Sequence, residues 1–258
     1  MPGTVRLERD GALAVLTLDK PPLNLFDRPL LDDLRAAIDD VAGDPPRGLL
    51  VRADGRAVSG GVDVHLFDGL TVDDAAALWR QLLDLIHTVE ELPLPTVFAA
   101  HALCLTAAFE LSLACDLLLA AESARFGLVE TVVGLTPAMG GTQRLAERAG
   151  PARAREFVMT GELYDAATLE RWNVVNRVLP DEGFDAAARD FARRLAEGPT
   201  RAHAATKAIV RAQVEGGARA ADERVPEIAG GLFATDDLKG AVRSFLENGP
   251  GHATYTGR

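Results

Sequence analysis

The stretch TVFAAHALCLTAAFELSLACDLLLAA, Thr96 to Ala121, constrains the fold of this chain more than any other. It is long and apolar enough to cross a bilayer, yet His101, Glu110 and Asp116 interrupt it, and ionisable side chains are costly in hydrocarbon. A protein interior is the expected home, and no membrane association is predicted. Its two ends, within PTVFAA and CDLLLAA, read as strands, and the part between them leads into a helix. That middle part sets one carboxylate, Glu110, among alanines and leucines. A buried carboxylate is expensive unless it is paired, protonated or put to use.

The rest of the chain shows what this segment packs with. Val5 to Glu8 and Leu13 to Leu18 alternate about Gly11 and predict a hairpin. Leu30, Leu31, Leu34, Ile38 and Val41 fall at helical spacing, with Asp27 as the expected cap and Gly43 as the stop. GLLVRA predicts a short buried strand, followed by a turn at Asp54-Gly55. TVDDAAALWRQLLDLIHTVEEL predicts a long helix capped by Thr71 and ended before Pro93. From Met139 onward the pattern is mostly helical, and Thr142 is expected to cap the helix that GGTQRL opens. Strands and helices alternate through the first two-thirds and helices dominate the last third. The fold class is therefore α/β, with crossover connections and a helical tail. Pro199 marks a boundary that divides 1–198 from 199–258. The amphipathic segments PTRAHAATKAIVRAQ and DDLKGAVRSFLENG suit packing on a neighbouring chain.

A net charge of −11 over 258 residues argues against a nucleic-acid binder, which wants a basic footprint. The two cysteines, Cys104 and Cys115, lie in apolar surroundings and read as core thiols. The five histidines are scattered and no H-E-x-x-H pattern occurs, so no metal site is predicted. Arg6, Glu8, Arg9 and Asp10 leave no long apolar run near the start, so no signal peptide is expected, and the location expected by default is cytoplasmic.

Three places carry candidate chemistry. With Thr106 as cap, Ala107 and Ala108 would fill the first turn of a helix, where backbone N–H groups lack helical partners and can hold an oxyanion. Glu110 would lie on the same side as Ala107 by i, i+3 spacing. Spacing alone leaves open a helix glutamate that faces solvent or pairs with an arginine. Glu130 also sits among apolar residues, Val129, Val132 and Val133, and two such carboxylates with raised pKa values can divide acid and base roles. A plain loop or strand-end position is the other reading of Glu130. DGRAVSGGVDV, Asp54 to Val64, has adjacent glycines after a strand, which suggests a tight loop whose backbone approaches something closely. It lacks the spacing of a phosphate loop or of a nucleophile elbow.

The order of these signals resembles the crotonase superfamily, the enoyl-CoA hydratase/isomerase family. The resemblance covers essentially the whole chain. KPPLNLFDRPLLDDL is similar to the family's Pro-x-x-x-Asn segment and following helix, and GRAVSGGVD to its G-K-A-F-[CS]-A-G-x-D loop. FELSLACDLLLA matches the E-L-A-x-x-C-D-[IL] helix and strand. ARFGLVETVVGLTPAMGGTQRL follows the F-x-x-P-E-x-x-x-G-x-x-P-x-x-G-G-T-Q-R-L block. TKAIVRA and the terminal YTGR also fit.

The resemblance implies a crotonase-like spiral of ββα turns with a C-terminal helical trimerisation region, as a homotrimer or a dimer of trimers. It implies an acyl-CoA thioester substrate and no cofactor besides the coenzyme A that the substrate carries. It places the oxyanion-holding amides at Val62 and Ala107 and the hydratase acid/base pair at Glu110 and Glu130. It sets substrate or CoA contacts at Lys20, Leu25, Arg56, Ala57, Gly61 and Asp63. Both glutamates favour hydration of a 2-enoyl-CoA over isomerisation, decarboxylation or thioester hydrolysis. The departures are local. The glycines of the family's G-x-x-x-G-G-G are replaced by Ala102, Thr106, Ala107 and Ala108, His101 stands for the usual Asn, Val58 for Phe, and Val129 for the Pro before Glu130. An added methyl narrows a pocket or opposes a positive φ, so these changes suit an unusual acyl group, another reaction of the family, or a CoA-binding scaffold with weak catalysis.

Overall fold

The computed structural model describes residues 4–258. The chain opens with the expected hairpin, β1 (Val5–Asp10) and β2 (Leu13–Leu18), which pair antiparallel from Val5 opposite Leu18 to Asp10 opposite Leu13. Helix α1 (Arg28–Gly43) follows, and Asp27 caps it by accepting the Leu30 N–H at 3.1 Å. Strand β3 (Gly48–Ala53) leads through a long loop to α2 (Val72–Glu91). Thr71 and Asp74 form a reciprocal capping box at the start of α2, which satisfies the backbone N–H groups of both residues.

The apolar segment becomes β4 (Thr96–Ala100), a two-residue strand β5 (Cys104–Leu105), α3 (Ala107–Ala114) and β6 (Leu117–Ala121). Every residue of α3 is buried, which explains a helix apolar on all sides. After it come β7 (Arg125–Gly127), α4 (Gly141–Ala149), α5 (Pro151–Thr160), β8 (Tyr164–Asp165), α6 (Ala166–Arg171), β9 (Arg177–Leu179) and α7 (Phe184–Ala196). The largely helical expectation after Met139 missed β8 and β9, which are too short to show a strand period. The tail is α8 (Thr200–Gly231), broken at Gly217 where φ is 79°, and α9 (Asp236–Asn248).

Six strands form one sheet in the order β1-β2-β3-β4-β6-β9, parallel except for β1. The parallel strands read as continuous apolar runs because helices and a second layer cover both faces. That second layer is a small sheet, β5-β7-β8, extended by single bridges between Ser59 and Cys104 and between Phe26 and Val62. Each turn of the chain thus lays one strand in the large sheet, one short piece in the small sheet, and then a helix: a spiral of ββα turns. Lys207 ties the first half of α8 to this body, with Nζ 2.9 Å from Asp116 and donating to the Leu94 carbonyl at 3.0 Å. Among the described residues no helix is long and apolar enough to cross a membrane.

Candidate active site

Two backbone segments meet beside the small sheet. The first is the loop after β3. Asn24, buried and at φ 49°, donates through its side-chain amide to the carbonyls of Asp54, Ala57 and Val58 at 2.9, 3.1 and 3.2 Å. Ser59 Oγ donates to the Asn24 carbonyl at 2.8 Å and accepts the Gly61 N–H at 3.0 Å. The Phe26 N–H donates to Gly61 O at 2.9 Å and the Asp63 N–H to Phe26 O at 3.0 Å. Those two bonds flank Val62, so the pleat aims its own N–H the other way, where it meets no acceptor among the described residues.

The second segment is the turn into α3. The Thr106 N–H donates to Gly127 O at 2.9 Å, and the Glu110 N–H closes the first turn on Thr106 O at 2.8 Å. Thr106 occupies the cap position that the spacing suggested, but its hydroxyl does not cap the helix. A cap needs extended backbone to swing its hydroxyl over the first amides, whereas Thr106 sits at φ 45°, ψ −119° and its side chain makes no cap bond. The Ala107 N–H stands first in the helix without an intrahelical acceptor. Gly61 and Thr106 bring the two segments together: a Cβ on Gly61, whose φ is 104°, would lie 2.8 Å from Thr106 Oγ1.

Glu110, one turn into α3, is 3% exposed. Its Oε2 accepts the N–H groups of Met139 at 2.9 Å and Gly141 at 2.6 Å. Those donors come from the loop that opens α4, whose start also differs from expectation. The helix begins at Gly141, with Gly140 at φ 98° in the cap position, so Thr142 lies inside the first turn instead of capping it. The positive φ of Gly140 turns the loop onto the carboxylate, and Gly141 must lack a Cβ, which would stand 2.7 Å from Glu110 Cγ. Arg144 steadies the loop: its guanidinium pairs with Glu90 and donates to Gly140 O at 3.2 Å. Burial pushes the Glu110 carboxyl up to about 8, with the Glu130 charge adding to the rise and the two amides opposing it.

Glu130 opens a 3-10 turn, Glu130–Val133, as the loop reading of this residue allowed. Burial raises its carboxyl to about 7, and its Oε2 is sealed from solvent without a partner. Glu110, held by two amides, and Glu130, with one unpartnered oxygen, lie close enough for the Glu130 charge to raise the Glu110 carboxyl. Both carboxyls sit closer to neutrality than an ordinary glutamate. Among the remaining sequence candidates, Ala57 and Gly61 are buried in the loop that Asn24 organises, while Leu25 and Val62 are partly buried beside it. Asp63 accepts the His65 N–H at 3.1 Å and caps the turn Val64–Phe67. Lys20 pairs with Asp27, and Arg56 is exposed at the loop tip.

Sequence reasoning missed the clamp of Asn24 and Ser59 and the amides of Met139 and Gly141. The Gly140-Gly141 pair was the available signal for the latter, since adjacent glycines permit a close backbone approach.

Comparison with known proteins follows the same lines. The chain is 31% identical over 258 residues to a probable enoyl-CoA hydratase of Rhodobacter capsulatus, covering 99% of this chain and 98% of that one. It is 30% identical over 251 residues to a probable enoyl-CoA hydratase of Mycobacterium bovis, covering 95% of each. The crystal structure of a putative enoyl-CoA hydratase from Streptomyces coelicolor superposes with a TM-score of 0.93 at 29% identity, over 100% of this chain and 96% of that one. Residues 8–255 match the model of the Enoyl-CoA hydratase/isomerase family. With its spiral of ββα turns and its helical tail, this chain belongs to the enoyl-CoA hydratase/isomerase family, and its fold is the crotonase fold.

Proposed function

We propose that this protein hydrates 2-enoyl-CoA thioesters. The observation that carries the reading is the presence of one buried and one half-buried carboxyl, both raised toward neutrality, together with two amides that have no acceptor among the described residues. The thioester oxygen would lie between the Val62 and Ala107 N–H groups. One glutamate takes a proton from water as the water oxygen bonds to the β-carbon. The π electrons of the double bond move to the thioester oxygen, forming an enolate that the two fixed dipoles stabilise. The enolate then collapses as the α-carbon takes a proton through the other glutamate, so the net change is addition of one water. A single oxyanion donor of this kind is typically worth about 3 kcal/mol.

Loop residues Lys20, Leu25, Arg56, Ala57, Gly61 and Asp63 would border the CoA arm, with Arg56 free to meet a phosphate. The mechanism uses no cofactor beyond the substrate's coenzyme A and no metal. Phe233, Phe245 and Leu246 expose 70%, 59% and 79% of their surface in the tail, which supports a homotrimer or dimer of trimers built on 199–258.

The test follows crotonyl-CoA by loss of enoyl-thioester absorbance. Wild type turns it over, and Glu110→Gln and Glu130→Gln each lose at least about 100-fold in kcat. Unchanged turnover in Glu130→Gln would sink the two-carboxylate mechanism. Tight CoA-thioester binding without any hydration would move the assignment to isomerase, decarboxylase or thioester hydrolase chemistry, or to a scaffold.

A further inference from the structure

Thr106 is the one residue near the paired amides that combines an unfavourable backbone with an unsatisfied side chain. Its φ of 45° and ψ of −119° lie in a region that suits glycine and strains an L-residue. Strain of this kind persists only where surrounding structure imposes it, and it clusters where function requires it. Its hydroxyl is sealed from solvent and has no hydrogen-bond partner, while the residue as a whole is 6% exposed. A buried hydroxyl without a protein partner is costly to keep, which makes its position in the fold informative.

The backbone angles fix what the side chain stands beside. With ψ at −119°, tetrahedral geometry at Cα makes the Cα–Cβ bond nearly eclipse the bond from the carbonyl carbon to the Ala107 nitrogen. The side chain of Thr106 therefore stands beside the Ala107 N–H. On its other flank, Oγ1 is 2.8 Å from the position that a Cβ on Gly61 would take, and Gly61 carries the peptide bond to Val62. The hydroxyl thus lies on the flank of Thr106 that faces Gly61, on a side chain whose Cβ stands beside the Ala107 N–H.

We propose that the Thr106 hydroxyl is a third donor to the thioester oxygen, joining the amides of Val62 and Ala107. The inference rests on the acyl-CoA reading of the site. The hydroxyl keeps its hydrogen on Oγ1 throughout and donates it to the enolate oxygen as charge accumulates there. Because the group is dry, the bond strengthens as the oxygen becomes more negative. A glycine at this position offers the amide alone. The threonine adds a donor at the cost of a strained φ and a narrower entrance, which would favour a slim acyl chain at the α-carbon.

The experiment compares Thr106→Val, which keeps the shape and removes the hydroxyl, with Thr106→Ser, which keeps the hydroxyl. Thr106→Gly relaxes φ and empties the space. The first readout is the fraction of bound acetoacetyl-CoA present as its ultraviolet-absorbing enolate; the second is kcat for crotonyl-CoA. Thr106→Val is expected to lower both by about tenfold with a melting temperature no lower than that of wild type, since it removes an unpartnered buried hydroxyl, and Thr106→Ser to stay within about twofold of wild type. Wild-type values in Thr106→Val, or faster turnover in Thr106→Gly than in wild type, would overturn the proposal and make the side chain an obstruction. Wild type that binds no CoA thioester at all would overturn the acyl-CoA reading and this assignment with it. Binding that is tight in all variants, with equal enolate fractions, would overturn only the role of the hydroxyl.

Discussion

The two segments that present a free amide do so by opposite means. On the Val62 side the loop is knitted together: Asn24 spans three carbonyls, Ser59 ties Asn24 to Gly61, and the positive φ values fall on a glycine and on an asparagine whose side chain is fully engaged. On the Ala107 side the positive φ falls on a threonine whose hydroxyl is unsatisfied. One amide is held by satisfied polar contacts, the other by packing that imposes strain. The glutamates repeat the contrast, since Glu110 is anchored by two amides while Glu130 Oε2 has no partner. A pre-organised site does not require every part to be relaxed. It requires the relaxed parts to hold the strained ones.

The comparison can be broken most severely at Gly61. Alanine there meets both a φ of 104° and a 2.8 Å approach to Thr106 Oγ1. Turnover is expected to fall by at least about 100-fold, since one amide loses its aim. Adding Thr106→Gly to Gly61→Ala removes the collision but not the backbone cost, so a double-mutant cycle in urea melts would show partial recovery. Full additivity would mean that the two segments do not touch in solution.

The carboxyls sharpen the comparison through pH. Folding raises both above the ordinary value of 4.5, so the folded state holds those protons more tightly than the unfolded chain does. The stability this contributes is complete below about 4.5 and is lost as pH rises through about 7 for Glu130 and about 8 for Glu110. Chemical denaturation between pH 5 and pH 9 should therefore show stability falling on the order of a few kcal/mol, and Glu110→Gln should flatten most of that slope. A slope identical in wild type and variant would mean that Glu110 titrates as an ordinary surface carboxyl.

The smallest effect is expected at Asn24. Alanine would leave three carbonyls of the Asp54–Val58 loop without their shared donor and is expected to cost about 2 kcal/mol, read from the urea midpoint. Turnover should drop more than stability predicts, because the loop then aims Val62 less well.

Much of this was legible in the sequence because it is local. Asp27 and Thr71 cap the helices that the apolar spacing announced, and the continuous apolar runs of β3, β4 and β6 are what a doubly covered parallel sheet requires. Glu110 stood out by chemistry alone, as a charge among alanines. What was hidden is non-local or conformational. The amides on Glu110 come from residues 29 and 31 positions away. The strands β5 and β8 have two residues each, too few to display an alternation. The cap position at Thr106 was right but its hydroxyl does not cap, and Thr142 lies inside its helix; in both, a residue type that favours caps was read without the local φ, which only the packed neighbours decide.

The small sheet has a consequence for how members of such a lineage change. Val62 faces outward because Gly61 and Asp63 on either side face Phe26. In a parallel bridge the bonds are made by the two flanking peptides, so the bridged residue keeps its own N–H outside the pairing whatever side chain it carries. The free donor therefore belongs to the position opposite Phe26 and not to valine as such. Position 62 is open to exchange for any side chain that suits a half-buried place, and closed to proline, which has no N–H to offer.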